Sequence, residues 1–460
     1  MAFAFLFMLL YYNKANALIF LKSPPPHHLT IAVNCAGGKN VRVRWLVARQ
    51  PGHPFFGEDQ ILEKIKMKKS LAALAVLGAF AGSAFAADVT LYGLVDYGFN
   101  YQHVDSDEQD ADAGDSFRMI SGQNSGSRFG LKGTEDLGNG LTVGFVLENG
   151  FNADDGTLGN GDRLFGRESQ VYLQGAFGTL SFGRVGQLVS ANGSYALFGN
   201  TSPFSSGWQD SVGQKFVTGT PWDRYDNTIT YKTPSFAGFQ VHAQYSFDTN
   251  SKAKSEMPEV EGEHGVEGSA KVDRYYAIGA TYKAENLYLV GVVDSVNYGS
   301  YYYDNDKLDD AFAVTLGGNY NFGFMTVYAM GQYFENSAKI GQKSAYGASD
   351  TLGAGYNAAP YGGADGFGVA LGLGVPCFGG TAKASVGYLS AETNEKVASG
   401  ADKAELDRWN ISVGYDYNLS KRTTVYTAAA YTKDSLDTGS KGEDVDPSSV
   451  EVMAGLIHRF

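Results

Sequence analysis

Val450 to Phe460 reads VEVMAGLIHRF, and its alternation decides the fold. Every second position back from Phe460 gives His458, Leu456, Ala454, Val452 and Val450, one mostly apolar face. A period of two is a strand. An apolar strand left at the edge of a water-soluble sheet invites aggregation. The same strand is at home where a barrel closes in a bilayer, because its apolar face meets lipid and no backbone edge remains.

The pattern recurs upstream. From Val89 the odd positions are Val89, Leu91, Gly93, Val95, Tyr97, Phe99 and Tyr101, and the even ones Thr90, Tyr92, Leu94, Asp96, Gly98, Asn100 and Gln102. Further outward faces read Leu141/Val143/Phe145/Leu147, Phe239/Val241/Ala243/Tyr245/Phe247, Phe312/Val314/Leu316 and Trp409/Ile411/Val413/Tyr415/Tyr417. A β-sandwich core also alternates, so the connections must discriminate. Tight turns are expected at 136–140, 175–178, 234–238, 283–286, 321–323, 376–380 and 418–421. Between them lie long polar links at 103–126, 152–165, 185–222, 248–272, 297–309, 336–365, 391–406 and 433–448. Strict short/long alternation over about sixteen strands predicts an all-β, transmembrane antiparallel barrel with short periplasmic turns and long external loops. Gly and Asn in the turns supply the positive φ that two-residue hairpins need.

Met67 opens a second readable segment, MKKSLAALAVLGAFAGSAFA, with Lys68 and Lys69 before an apolar run and an A-x-A end. That is the plan of a secretory signal peptide over 67–86, cut between Ala86 and Ala87. Residues 1–66 are then expected to be an upstream extension outside the real protein, and 87–460 the barrel. Removing 1–86 takes ten Lys+Arg and three Asp+Glu from totals of 36 and 49, leaving 26 and 46, a net of −20. So acidic a chain argues against nucleic acid as a partner. Cys377 alone remains after Cys35 is removed, so no internal disulfide is expected. No stretch of the mature chain is long and apolar enough for a helical span.

The stretches ADVTLYGLVDYGF (87–99), SRFGLKGTEDLGNGLTVGFVLENGF (127–151), GTLSFGRVGQ (178–187), RYDNTITYKTPSFAGF (224–239), YDYNLSKRTTVY (415–426) and the final HRF occur in this order. Together they resemble the Gram-negative general diffusion porins of the trimeric, sixteen-stranded kind, closest to the neisserial and β-proteobacterial branch. The resemblance implies a homotrimer in the bacterial outer membrane that passes ions and small hydrophilic solutes passively. Outer-membrane lipids and lipopolysaccharide are implied neighbours. Phe460 is similar to the terminal aromatic that the outer-membrane assembly machinery reads.

A passive pore requires no catalytic group, cofactor or metal; it requires a constriction that sorts solutes by charge and width. The link 185–222 is the longest and least charged, with Tyr195, Phe198, Phe204 and Trp208 and only Asp210 and Lys215 ionised. Such a loop suits an inward fold, and in the resembled family the third loop does narrow the channel. Parity turns Arg128 and Lys132 to the lumen, opposite Phe129 and Leu131, and Arg224 likewise, opposite Ile229 and Tyr231. Arg167 has the parity of the outward Val171 and Leu173, so only the resemblance places it with Arg128 and Arg224. Arg184 shares parity with Leu180 and Phe182 and is expected at a subunit contact. Asp210 is the main expected acidic partner, with Asp223 near the loop's end. Opposed charges across a narrow gap would orient polar solutes. The sign of ion selectivity stays open: acidic loops favour cations and lumen arginines favour anions. An enzyme reading finds no G-x-S-x-G, H-E-x-x-H or phosphate-loop pattern. A substrate-specific channel and a surface adhesin scaffold remain the rival readings.

Overall fold

The computed structural model describes residues 89–107, 114–204, 212–219, 222–252, 267–299, 308–340, 357–397, 399, 401–439 and 444–460, the side chains of Lys215 and Phe216 excepted. It also gives the backbone of three short strands, β1 (Ile19–Phe20), β2 (Thr30–Asn34) and β3 (Asn40–Arg44), which form a small antiparallel sheet of their own. The proposed leader over 67–86, with Ala86 and Ala87, lies outside the described residues.

From Thr90 onward the regular structure of the described residues is nearly all strand. The order begins β4 (Thr90–Asp105), β5 (Gly114–Ser121), β6 (Arg128–Gly138), β7 (Leu141–Gly150), β8 (Glu168–Gly175) and β9 (Gly178–Gly186). It continues β10 (Arg224–Lys232), β11 (Phe239–Ser246), β12 (Arg274–Lys283), β13 (Leu287–Asn297), β14 (Ala311–Asn321) and β15 (Thr326–Ser337). It ends β16 (Ala364–Cys377), β17 (Gly380–Thr393), β18 (Glu405–Asn418), β19 (Thr423–Asp437) and β20 (Ser448–Arg459). Each strand pairs antiparallel with its neighbours, and β20 closes on β4 from Ser448↔Asp105 to Arg459↔Leu94. Phe460 extends the seam: its N–H donates to the Gly93 carbonyl and its carbonyl accepts from the Gly93 N–H. The first and last strands of the barrel therefore leave no free edge at their seam.

The seventeen segments make a sixteen-stranded barrel because β5 and β6 share one position, both pairing with β4. The link expected over 103–126 therefore contains a strand, 114–121, whose Phe117 and Met119 point outward and exposed. The interruption between β5 and β6 has a cause. Asp96, fully buried on β4, accepts hydrogen bonds from the backbone N–H groups of Asn124 (2.8 Å) and Ser125 (2.6 Å). Those donors then serve the carboxylate instead of a ladder, and a buried carboxylate left without them would be costly.

All seven expected tight turns fall between paired strands. At the first of them Asn139 and Gly140 take φ of 53° and 73°, the left-handed pair that the hairpin twist demands. The turn at 377–380 differs, since Phe378 rather than Gly or Asn takes the first left-handed position. Along β18 exposure alternates strictly from Glu405 to Val413, and from Arg408 onward the apolar side chains are outward and the polar ones inward. That alternation is the signature of a strand with lipid on one side and a polar interior on the other.

Candidate functional site

Two sets of side chains meet on the inner wall. The first is a row of charges. On β7 Glu148 is inward, and it receives Arg167 Nε at 2.7 Å, Arg128 Nη1 at 3.9 Å and the Tyr92 hydroxyl at 3.0 Å. Glu168 stands directly across from Glu148 in the β7–β8 register and is 3 % exposed. It accepts from the Ser194 N–H at 3.2 Å, so it ties the wall to the loop between β9 and β10. Arg224, buried at the start of β10, donates to Asn192 Oδ1 of that loop at 3.3 Å. Three arginines and two glutamates thus leave one net positive charge beside the first part of the loop. Charges so buried are kept only when paired or hydrogen-bonded.

Arg167 reaches this row although strand parity points it outward. It precedes β8, where the ladder's parity does not yet apply, and its N–H donates to the Glu148 carbonyl. Lys132 does not join the row; it is exposed, with Nζ 5.2 Å from the Tyr92 ring centroid nearer the short-turn end. Arg184 is held within the chain, by Asp226 Oδ1 at 2.7 Å and by the Gly166 and Arg224 carbonyls. Asp223 accepts from the Arg224 N–H at 2.6 Å. Asp210 and Trp208 lie outside the described residues. The acid that does pair with the arginines, Glu148, and Glu168 across from it were not singled out from sequence. The signal was present for Glu148: it alternates with Leu147 in a strand whose outward face was already read.

The second set is the loop over 187–223. Its described residues lie on inward-facing positions of the wall from β11 round to β18. Leu188 N–H donates to Gln244, the Tyr288 hydroxyl to the Leu197 carbonyl, and Asn319 to the Asn200 carbonyl. Gly219 N–H donates to Gln332 Oε1 at 2.7 Å, and Ser337 Oγ to the Gly219 carbonyl at 2.6 Å. Leu188, Val189, Phe198, Phe204 and Val217 are at most 1 % exposed. Each such burial contributes about 1.5–3 kcal/mol toward holding the loop down. Tyr195 is buried too, 5 % exposed with its hydroxyl at Ser181, and burial pushes its phenol up to about 12.

The wall is bare where the loop crosses it. A Cβ on Gly372 would lie 2.4 Å from Pro203, on Gly414 2.8 Å from Phe204, on Gly317 2.8 Å from Thr201, and on Gly387 2.7 Å from Val217. At Gly368 the contact is with backbone, 1.7 Å from the Val217 carbonyl oxygen. Glycine at these places permits an approach that any side chain would block.

Toward the long-loop end a cavity of about 500 Å³ is lined by Arg224, Arg163 and Lys339 and by Asp223 and Asp273. Asp273 accepts from the Gly299 N–H at 2.7 Å, and burial pushes its carboxyl up to about 6. Among the described residues no group of three or more His, Cys, Asp or Glu is placed to hold a metal ion.

Comparison with known proteins agrees with this architecture. The Gram-negative porin family matches residues 73–437. An outer membrane porin protein of Bordetella pertussis is 34% identical over 419 residues, covering 86% of this chain and all of the relative. Outer membrane porin protein 32 of Delftia acidovorans is 32% identical over 414 residues, with the same shares covered. Among solved structures, an anion-selective porin from Comamonas acidovorans superposes with a TM-score of 0.56 at 26% identity, over 82% of this chain and all of that one. With its closed barrel and these relatives, the chain belongs to the Gram-negative porin family: it is an outer-membrane channel protein and not an enzyme.

Proposed function

We propose that the barrel is a water-filled pore for passive diffusion of ions and small hydrophilic solutes, narrowed by the loop over 187–223 and weakly selective for anions. The observation that carries this reading is the row Arg128, Arg167 and Arg224 with Glu148 and Glu168, set against the start of that loop. Its net positive charge acts at short range. Charges on the external loops are screened beyond about 8 Å in physiological salt, so they count less at the narrowest point. The similar Comamonas protein is named as anion-selective, which supports the same sign. Acidic external loops still concentrate cations at the mouth, which keeps the preference weak.

A general pore fits better than a substrate-specific one. The described aromatic side chains of the loop, Tyr195, Phe198, Phe204 and Trp222, are buried against the wall instead of being arrayed along a path. In this reading the protein works as a homotrimer among outer-membrane lipids and lipopolysaccharide. It is exported by cleavage between Ala86 and Ala87 and delivered by the assembly machinery through Phe460. The test is the reversal potential in a salt gradient. Replacing both Arg128 and Arg224 by Ser leaves Glu148 and Glu168 facing Arg167 alone and should move permeability toward cations. An unchanged reversal potential would remove these arginines from the selective region.

A further inference from the structure

On the outer wall, the bulky outward face of β13–β15 is interrupted. Gly318 on β14 pairs with Ala329 on β15, and Gly331 on β15 pairs with Leu316 on β14. These three small residues floor a groove of about 490 Å³, walled by Leu289, Leu316, Tyr320 and Val327, with no charged residue among those lining it. The side chains beside it stand well clear of the backbone: Leu316 is 61% exposed, Leu289 47% and Tyr320 42%. Gly331 is not glycine for conformational reasons, because a Cβ there would meet nothing nearer than 3.8 Å and no left-handed φ is required.

The groove's position identifies what fills it. It lies at the short-turn end of the barrel, next to the β14–β15 turn. There Tyr320, Phe322 and Phe324 follow one another, with ring centroids 4.6 and 6.3 Å apart, and Phe322 and Phe324 are 52% and 67% exposed. An exposed aromatic run at one end of the apolar band marks the bilayer–water boundary of a barrel. The groove therefore opens into hydrocarbon just inside the boundary on the periplasmic side. An apolar recess there, about 490 Å³ in volume and open to the bilayer, offers an acyl chain wall contacts that its methylenes lack in fluid lipid. We propose that this groove is a site for one acyl chain of a phospholipid from the periplasmic leaflet, with the headgroup beside Phe322 and Phe324.

Native mass spectrometry of the full chain tests this, after reconstitution in vesicles of phosphatidylethanolamine and phosphatidylglycerol and transfer into detergent. The wild type should keep a phospholipid adduct on each protomer. Gly331→Leu, which fills the floor without a backbone clash, should lower that occupancy at least fivefold, as should Ala329→Leu on the same floor. Ala243→Leu, on the outward face of β11, should leave it unchanged. Equal adducts in the wild type and both groove variants, or none in any of them, would overturn the proposal. So would a change in oligomer mass on filling the groove, which would make it a contact between copies of this chain.

Discussion

Gly368→Ala is the most informative single change in the barrel. The residue sits on β16, inward, in extended backbone between Gln332 and Leu389 of the neighbouring strands. Its added Cβ would lie 1.7 Å from the Val217 carbonyl oxygen, where 3.4 Å begins ordinary contact, so one backbone must withdraw by about 1.7 Å. The barrel wall is fixed by ladders on both sides, so the loop moves toward the pore axis. That motion stretches the two buried hydrogen bonds at Gly219, to Gln332 and from Ser337, each worth about 1 kcal/mol net. Overpacking adds about 1–3 kcal/mol. Together these weaken the seating of the loop by about 3–5 kcal/mol, a factor of roughly 10²–10⁴ in its docking equilibrium. The assay is single-channel conductance in planar bilayers. The variant should show lower mean conductance and added gating noise, with the heat-resistant electrophoretic mobility of a folded barrel intact. Gly331→Ala, outward and unobstructed, is the matched control and should behave as wild type. A Gly368→Ala channel indistinguishable from wild type in both conductance and noise would refute the claim that this wall contact sets the loop's position.

Other consequences follow from charges the fold has buried. Asp273, raised to about 6 by burial, is neutral at pH 5 and ionised at pH 7, beside the cavity that holds Arg224. Anion preference should therefore be stronger at pH 5 and fall as pH rises through 6, and Asp273→Asn should remove that step from the reversal potential. Because the folded state holds this proton more tightly than an unfolded chain does, Asp273 also costs stability as pH rises from the ordinary carboxylate range to about 6. Arg408 and Asp434, both fully buried, form a two-point ion pair between β18 and β19 at 2.6 and 2.7 Å. Arg408→Met removes the charged partner of the buried Asp434 carboxylate and should cost about 3–5 kcal/mol, read as an earlier urea midpoint. Adding Asp434→Leu should recover most of that loss, and failure to recover would mean that packing rather than charge dominates.

The strands and tight turns were legible in the sequence because their physics is local: a period of two, and left-handed positions at Asn139–Gly140. The lumen side of Arg128 and Arg224 followed from the same parity. Parity failed for Arg167 because the residue stands just before its strand, where a coil sets the direction. The strand at 114–121 was hidden by the polar character of its flanks and by a break that Asp96, distant in sequence, enforces. Glu148 was legible by the same parity, since it alternates with the outward Leu147. The seat of the loop was not legible at all. Gly317, Gly368, Gly372, Gly387 and Gly414 form a bare surface only once five strands are set in register, and no single stretch of sequence carries that register.

A water-filled pore is tested most directly by ion flux. Planar-bilayer recording of the refolded chain from Ala87 to Phe460, under a salt gradient, measures conductance and preference together. Long-lived steps that close in thirds, with a modest reversal potential of the sign for anions, are the predicted result. Protein that is folded by electrophoretic mobility yet passes no current would contradict the water-filled pore.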